Sequence, residues 1–273
     1  MTVPLNLRLA SLDHDDPWIV EQRYLEIIND YLQPDSQISA SDAATGVNKL
    51  TPMSRKARGE EVETPESWCL EVWSTFSEIV KQIPHDHPSQ DKMVEFIKAL
   101  KALPGVEVKL YQTDLWADPG PKHDASGLER CVNWHAFSAR VLQSGLADWF
   151  YLTTCCINKA LEEPHEVNES WECQIRAAAQ WIEHSRDVIF HSLDNLADFK
   201  DLIPGPLYTG KGGLSRERWE FWEARFRALA EDGTLSEGTI SMCGNAARQM
   251  AGISGVNGDK DQQDSKEISP SEA

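Results

Sequence analysis

Apolar residues that return every three or four positions, in one stretch after another, restrict this chain more than any other feature. Trp171, Ile175, Ala178, Ile182 and Ile189 lie in a single stripe when successive residues are turned by 100°. Trp219, Trp222, Phe226 and Leu229 form a second stripe, while Arg216, Glu220, Glu223 and Arg227 point elsewhere. Trp68, Val72, Phe76, Ile79 and Ile83 make a third, Met93, Phe96, Ile97 and Leu100 a fourth, and Trp18, Leu25, Ile28 and Leu32 a fifth. A helix with one apolar stripe is stable only when that stripe is covered, so such a chain has to pack helix on helix. Asp16 before Pro17, Thr64 before Pro65, and Ser89 supply helix starts, and Pro84 supplies a stop. Further helices are expected over 127–143, 145–162, 170–193, 215–231 and 236–251. Val106–Tyr111 alternates weakly, as a strand does, but a lone strand has no partner. The expected fold class is all-α, an irregular multi-helix bundle or array of about eight helices.

With 273 residues, 41% of them hydrophobic and 26% charged, the chain can bury a sizeable core. A single helical domain over 1–251 is expected. Residues 33–63, rich in Ser, Asp, Ala and Thr, read as a mobile loop, and 252–273 as a disordered acidic tail. No fixed period marks a solenoid.

A formal net charge of −18 disfavours nucleic acid and anionic membrane as partners, because both would have to be met by a basic surface. No run approaches the roughly 18 apolar residues of a membrane span. The N-terminus, MTVPLNLRLASLDHDD, turns acidic too early for a secretory or transit signal, so a cytoplasmic or nuclear location is expected. The cysteines, at 69, 131, 155, 156, 173 and 243, never form C-x-x-C and read as reduced, buried thiols. The neighbours Cys155 and Cys156 point about 100° apart on a helix, which disfavours a redox pair. Asn168-Glu169-Ser170 fits the glycosylation acceptor pattern, which is idle without a secretory signal.

The segment with the most chemistry to offer is GPLYTGKGG, residues 205–213, which runs into the aromatic helix LSRERWEFWEARF. Gly205, Gly210 and Lys211 match the start of a phosphate-binding loop, yet Gly212 stands where that motif needs a Ser or Thr, and no hydrophobic strand precedes it. A nucleotide triphosphatase is therefore disfavoured. A glycine turn at a helix N-terminus also offers N–H groups to an anion, with Lys211 and Arg216 adding charge. The plainer reading is a tight interhelix turn with Ser215 capping the helix, and the residues favour it. His135 projects among Leu128, Cys131, Ala139 and Leu142, where a satisfied core histidine is commoner than a catalytic one. His85 and His87 lack a third metal ligand and read as solvated surface histidines; His184 and His191, about 10 Å apart along one helix, are too distant to share an ion. The ten tryptophans mostly sit at core spacing, with Trp116 and Trp149 less constrained. Arg216–Glu220 and Glu223–Arg227 are helix-face ion pairs. There is no recognisable catalytic motif, so enzymatic activity stays open, and no cofactor or metal is expected.

The run GPLYTGKGGLSRERWEFWEARF, together with MVEFIKALKALP, VNWHAFSARVLQSG and AAAQWIEHS, resembles a family of uncharacterised fungal proteins that carry a domain of unknown function. The resemblance spans most of residues 65–250, and its signature is GPLYxGKxG followed by ERWxFWxxRF. It implies a fungal, intracellular, mostly helical protein, in a family sometimes met near secondary-metabolite clusters, and carries over no functional residue. Two readings follow. One is a non-enzymatic accessory protein of fungal metabolism that presents a groove or acidic face to a protein partner. The other is a small-molecule-binding protein or unorthodox enzyme, taking an anionic or aromatic ligand at Tyr208, Lys211, Gly212, Gly213, Arg216 and His135.

Overall fold

The computed structural model describes residues 2–13, 15, 17–105, 125–193 and 203–267. Among them every regular element is helical. Ten α-helices run α1 (Ile19–Leu32), α2 (Ala40–Asn48), α3 (Pro52–Lys56), α4 (Pro65–Val80), α5 (Ser89–Ala102), α6 (Ala125–Gln143), α7 (Phe150–Leu161), α8 (Glu169–Ser192), α9 (Arg216–Ala230) and α10 (Glu237–Glu267). The all-α reading holds for these residues; Asp16, Val106–Tyr111 and Trp116 lie outside them. The chain divides into two compact units, Met1–Leu146 and Ala147–Ala273. The boundary falls just past the end of α6, where Gly145 takes φ 70°. There the N–H of Leu146 donates to the Val141 carbonyl at 3.3 Å and that of Gly145 to Leu142 at 3.0 Å, the paired bonds of a left-handed helix stop.

In the first unit, Val20, Tyr24, Ile28, Tyr31 and Leu32 are the buried face of α1, with Leu25 and Trp18 half-buried at its margin. Val72, Phe76 and Ile79 of α4 and Met93 and Phe96 of α5 are buried as their spacing requires. Phe76 meets Phe137 of α6 edge-on at 5.4 Å. The carbonyls left open at the end of α1 are met from α5: Ser89 Oγ donates to Leu32, and Lys92 Nζ to Tyr31 and Gln33. Ser89 is thus the first residue of α5 and not its cap.

Residues 33–63 are not the expected mobile loop. They hold α2 and α3, capped by Ser39 and Thr51, whose side chains accept from Asp42 N–H and Ser54 N–H. Ala43, Ala44 and Val47 are buried, and α2 packs on α5 and α1. Small side chains can bury a helix face with little apolar bulk, which is why the composition looked like a loop. The turn after α3 closes on Arg55, whose guanidinium, nearly buried, donates to Glu60, to both oxygens of Glu63 and to the Glu61 carbonyl.

The segment leading to α1 is tied down by three side chains. The Gln33 amide exchanges two hydrogen bonds with the backbone of Leu5, and that of Gln82 exchanges two with Arg8. His87 Nε2 lies 2.9 Å from the Val3 carbonyl, and its Nδ1 accepts from Ser89 N–H at 3.1 Å, which makes the ring the Nε2-protonated donor to Val3. His87 is therefore buried at 8% exposure and not the expected surface histidine: it ties the N-terminal segment to α5. Leu7 and Leu9 are buried at alternate positions of the segment.

In the second unit, α8 packs on α7 and α10, and α9 on α10 and α7. Trp171, Ile175, Ala178, Ile182 and Ile189 are all buried, as are Trp219, Trp222, Phe226 and Leu229. Asn168 of the glycosylation-like triplet caps α8 by accepting from Trp171 N–H at 2.9 Å. Glu172 in the first turn of α8 accepts from Ser236 N–H, from the Ser236 hydroxyl and from Thr239 Oγ1, and so holds in place Ser236, whose hydroxyl caps α10 by accepting from Thr239 N–H at 3.4 Å. Burial favours the neutral form of its carboxyl, but these donors outweigh it and hold Glu172 below the ordinary glutamate range. Helix α10 continues to Glu267 where disorder was expected from Gly252, since extending a nucleated helix needs one hydrogen bond per added residue; 268–273 lie outside the described residues.

Candidate functional site

The glycine-rich loop enters α9 beside a charged pair from which water is excluded. Arg218, in the first turn of α9, donates from Nε to Glu162 Oε1 at 2.6 Å and from Nη2 to Oε2 at 2.9 Å, and both side chains are 0% exposed. Its Nη1 donates to the Gly213 carbonyl at 2.8 Å, within the loop. The guanidinium also lies over the rings of Tyr208 and Trp222, 5.5 and 5.4 Å from their centroids. Glu162, the residue that ends α7, accepts two further bonds, from Trp222 Nε1 at 2.6 Å and from Gly205 N–H at 2.8 Å. Each carboxylate oxygen thus has two donors, the condition under which a buried charge is tolerated.

This clasp explains most of the glycine-rich motif. A methyl group on Gly205 would stand 2.6 Å from Glu162 Cβ and from its carbonyl oxygen, so only glycine lets the loop approach α7 closely enough for its N–H to reach the carboxylate. Leu207 N–H then donates to the Glu162 carbonyl at 2.9 Å, meeting an open group at the end of α7. Tyr208 is buried against Phe221, with ring centroids 5.1 Å apart. Gly213 has φ 86°, a conformation that other residues reach with strain, and it turns its carbonyl to Arg218. Ser215 then caps α9, its hydroxyl accepting from Arg218 N–H at 3.2 Å. Gly213 and Ser215 thus form a capped turn that leads into α9.

Of the sequence-derived site residues, Tyr208, Lys211, Gly212, Gly213 and Arg216 share this loop and the start of α9 in the second unit. Tyr208 and Gly213 are buried, Gly212 is half-buried, and Lys211 and Arg216 are exposed, the latter over the Phe190 ring at 5.0 Å. His135 belongs to the first unit, in the middle of α6, at 2% exposure and edge-on to Trp134 at 5.1 Å. Sequence reasoning missed Glu162 and Arg218. The available signal was an arginine beside the Trp219 stripe and four residues before Trp222, a place where a charge is buried only with a partner.

No three-residue group of His, Cys, Asp or Glu among the described residues is arranged to hold a metal ion. Cys156 is buried, and burial pushes the half-buried Cys155 thiol above its ordinary value, the opposite of a reactive thiolate. No described helix is long and apolar enough to cross a membrane.

No curated protein and no solved structure matches the chain. A family model, described as a protein of unknown function (DUF3632), matches residues 73–226, a stretch that includes Glu162, the glycine-rich loop and α9 as far as Phe226. Because the match spans more than half of its length, the chain belongs to the DUF3632 family.

Proposed function

We propose that this is a non-enzymatic accessory protein of fungal metabolism, attached to a secondary-metabolite pathway and acting through a protein partner. The observation that carries this reading is the Glu162–Arg218 clasp. The chain's most distinctive segment closes a core there, and its buried charges have every partner they need within the unit. A catalytic carboxylate or guanidinium has to reach a substrate, and these two, at 0% exposure, do not. The resemblance of the motif to uncharacterised fungal proteins supports the fungal setting. The surplus of 44 acidic over 26 basic residues suits a basic partner surface.

The second reading, a small anion held by the loop, rests on the exposure of Lys211 and Arg216 beside backbone glycines. The two readings separate in one experiment. The gene is deleted in its host, metabolites are profiled, and variants are returned. An accessory protein tolerates Lys211→Ala, copurifies with a stoichiometric partner, and loses function with Arg218→Ala through loss of folding. If Lys211→Ala folds normally yet fails to restore the metabolite profile, the loop acts on a ligand and the accessory reading is wrong.

A further inference from the structure

The first unit already holds one extended peptide, its own N-terminal segment. Residues 2–9 have no regular secondary structure, and their side chains alternate: Pro4, Asn6 and Arg8 are exposed, whereas Leu5 is half-buried and Leu7 and Leu9 are buried. That is the period of two of an extended chain with one face covered.

Side chains of the unit hold this segment by its main chain. Gln33, at the end of α1, accepts from Leu5 N–H and donates to the Leu5 carbonyl, both at 3.2 Å. Gln82, just past α4, does the same with Arg8 at 2.9 and 2.7 Å, and His87 Nε2 donates to the Val3 carbonyl at 2.9 Å. Both amides are also oriented by their own helices, Gln33 by donating to the Asn29 carbonyl at 3.1 Å and Gln82 to the Glu78 carbonyl at 2.9 Å. Main-chain bonds are indifferent to sequence, and the covered positions for alternate side chains supply the selectivity. The track thus fits an extended backbone with apolar residues two apart, whatever its outward side chains are.

The segment is also placed to leave. From Ala10 to Ile19 no described residue is buried, and α1 enters the core only from Val20, so release need not unpack the helix. A second copy of this chain would bring to the track only the contacts it already has, at the added cost of association. A different segment gains where residues 3–9 fall short: Val3, on the inward parity, is 72% exposed, and Leu5 is only half covered.

We propose that this track is the docking site for an extended segment of a partner protein, with bulky apolar residues in the places of Val3, Leu5, Leu7 and Leu9, and that the chain's own residues 3–9 occupy it until that segment displaces them. The inference rests on the partner-dependent reading above, but the two fail separately: a host metabolite profile untouched by gene deletion removes the pathway and leaves peptide binding intact.

The probe is a synthetic peptide of residues 2–10, TVPLNLRLA, carrying Val3→Phe and Leu5→Phe to fill the open positions. Fluorescence anisotropy follows its binding to the full chain in two forms, the parent and a Leu7→Asp, Leu9→Asp variant whose own segment no longer fits. Saturable binding to the variant is expected, and binding to the parent about tenfold weaker or more, because the tethered segment competes at an effective concentration on the order of millimolar. The same peptide N-methylated at positions 5 and 8 lacks the N–H groups that Gln33 and Gln82 accept from, and should bind about tenfold less tightly. In the parent, which needs no folding check, millimolar peptide should speed amide exchange at Leu5 and Arg8 as the segment is displaced. The proposal is overturned if exchange at Leu5 and Arg8 is indifferent to the peptide, or if the N-methylated peptide binds the variant as tightly as the unmethylated one. Light scattering of the parent should give a monomer; a dimer with exchanged segments would make a second copy the occupant and overturn the assignment to a partner.

Discussion

Replacing Arg218 with Met keeps most of the side-chain stem and deletes the guanidinium, which isolates the contribution of the clasp. The change leaves the Glu162 carboxylate at 0% exposure with two donors, Trp222 Nε1 and Gly205 N–H, and no counter-charge, and it strands the Gly213 carbonyl. Removing one partner of a buried pair costs about 3–5 kcal/mol, a large part of the 5–15 kcal/mol that typically holds a domain together. Glu162→Ala is worse still, because a buried cation, an indole N–H and the Gly205 N–H all lose their acceptor. The double variant Glu162→Gln with Arg218→Met removes both charges while the Gln oxygen can still accept from Trp222. It should recover about 2 kcal/mol relative to the sum of the single changes. Urea unfolding followed by tryptophan fluorescence gives the total. Amide exchange across α9, with α4 as internal reference, locates the loss. The argument fails if Arg218→Met costs less than about 1 kcal/mol, the value of an exposed pair, or if the double variant is no more stable than the sum predicts.

Gly205→Ala should destabilise by about 1–3 kcal/mol, because its methyl would meet backbone that cannot yield; a thermal midpoint unchanged from the parent would contradict the close approach. Glu172→Gln should cost about 1 kcal/mol at pH 7 by weakening the cap of α10. The folded Glu172 carboxyl lies below its ordinary value, near 4.5, so on acidification the unfolded chain takes up this proton first and the cap's stabilisation drains away. The gap between parent and variant should be constant from pH 6 to 8 and close below about pH 4.5, and a gap that widens in acid would refute the assignment. Burial, reinforced by the nearby Glu172, pushes the Cys243 thiol up to about 12. At pH 8 it should resist iodoacetamide until the second unit unfolds, while the half-exposed Cys69 reacts first, as peptide mapping after pulsed alkylation would show.

Where a stripe was continuous, the helix was legible: the five residues from Trp171 to Ile189 and the four from Trp219 to Leu229 are buried as their spacing demands. Local caps were legible too, since Thr64 and Ser215 accept from the N–H three residues on. Segment 33–63 was not, because Ala43, Ala44 and Val47 become a core face only when α5 and α1 cover them. His87 looked like a surface residue because its acceptor, the Val3 carbonyl, lies 84 positions away in sequence. Ser215 was legible as the cap of α9, yet the reason for the glycines before it was hidden.

The sequence alone determined helical class, most helix positions and the buried faces, because those follow from neighbours three and four residues apart. Tertiary structure alone decided the division into two units and the role of the motif. Arg218 finds Glu162 across 56 positions, and no periodicity encodes that distance. A buried charge is stable only where a partner and its remaining donors converge, and that convergence exists only once α7, the loop and α9 are packed together.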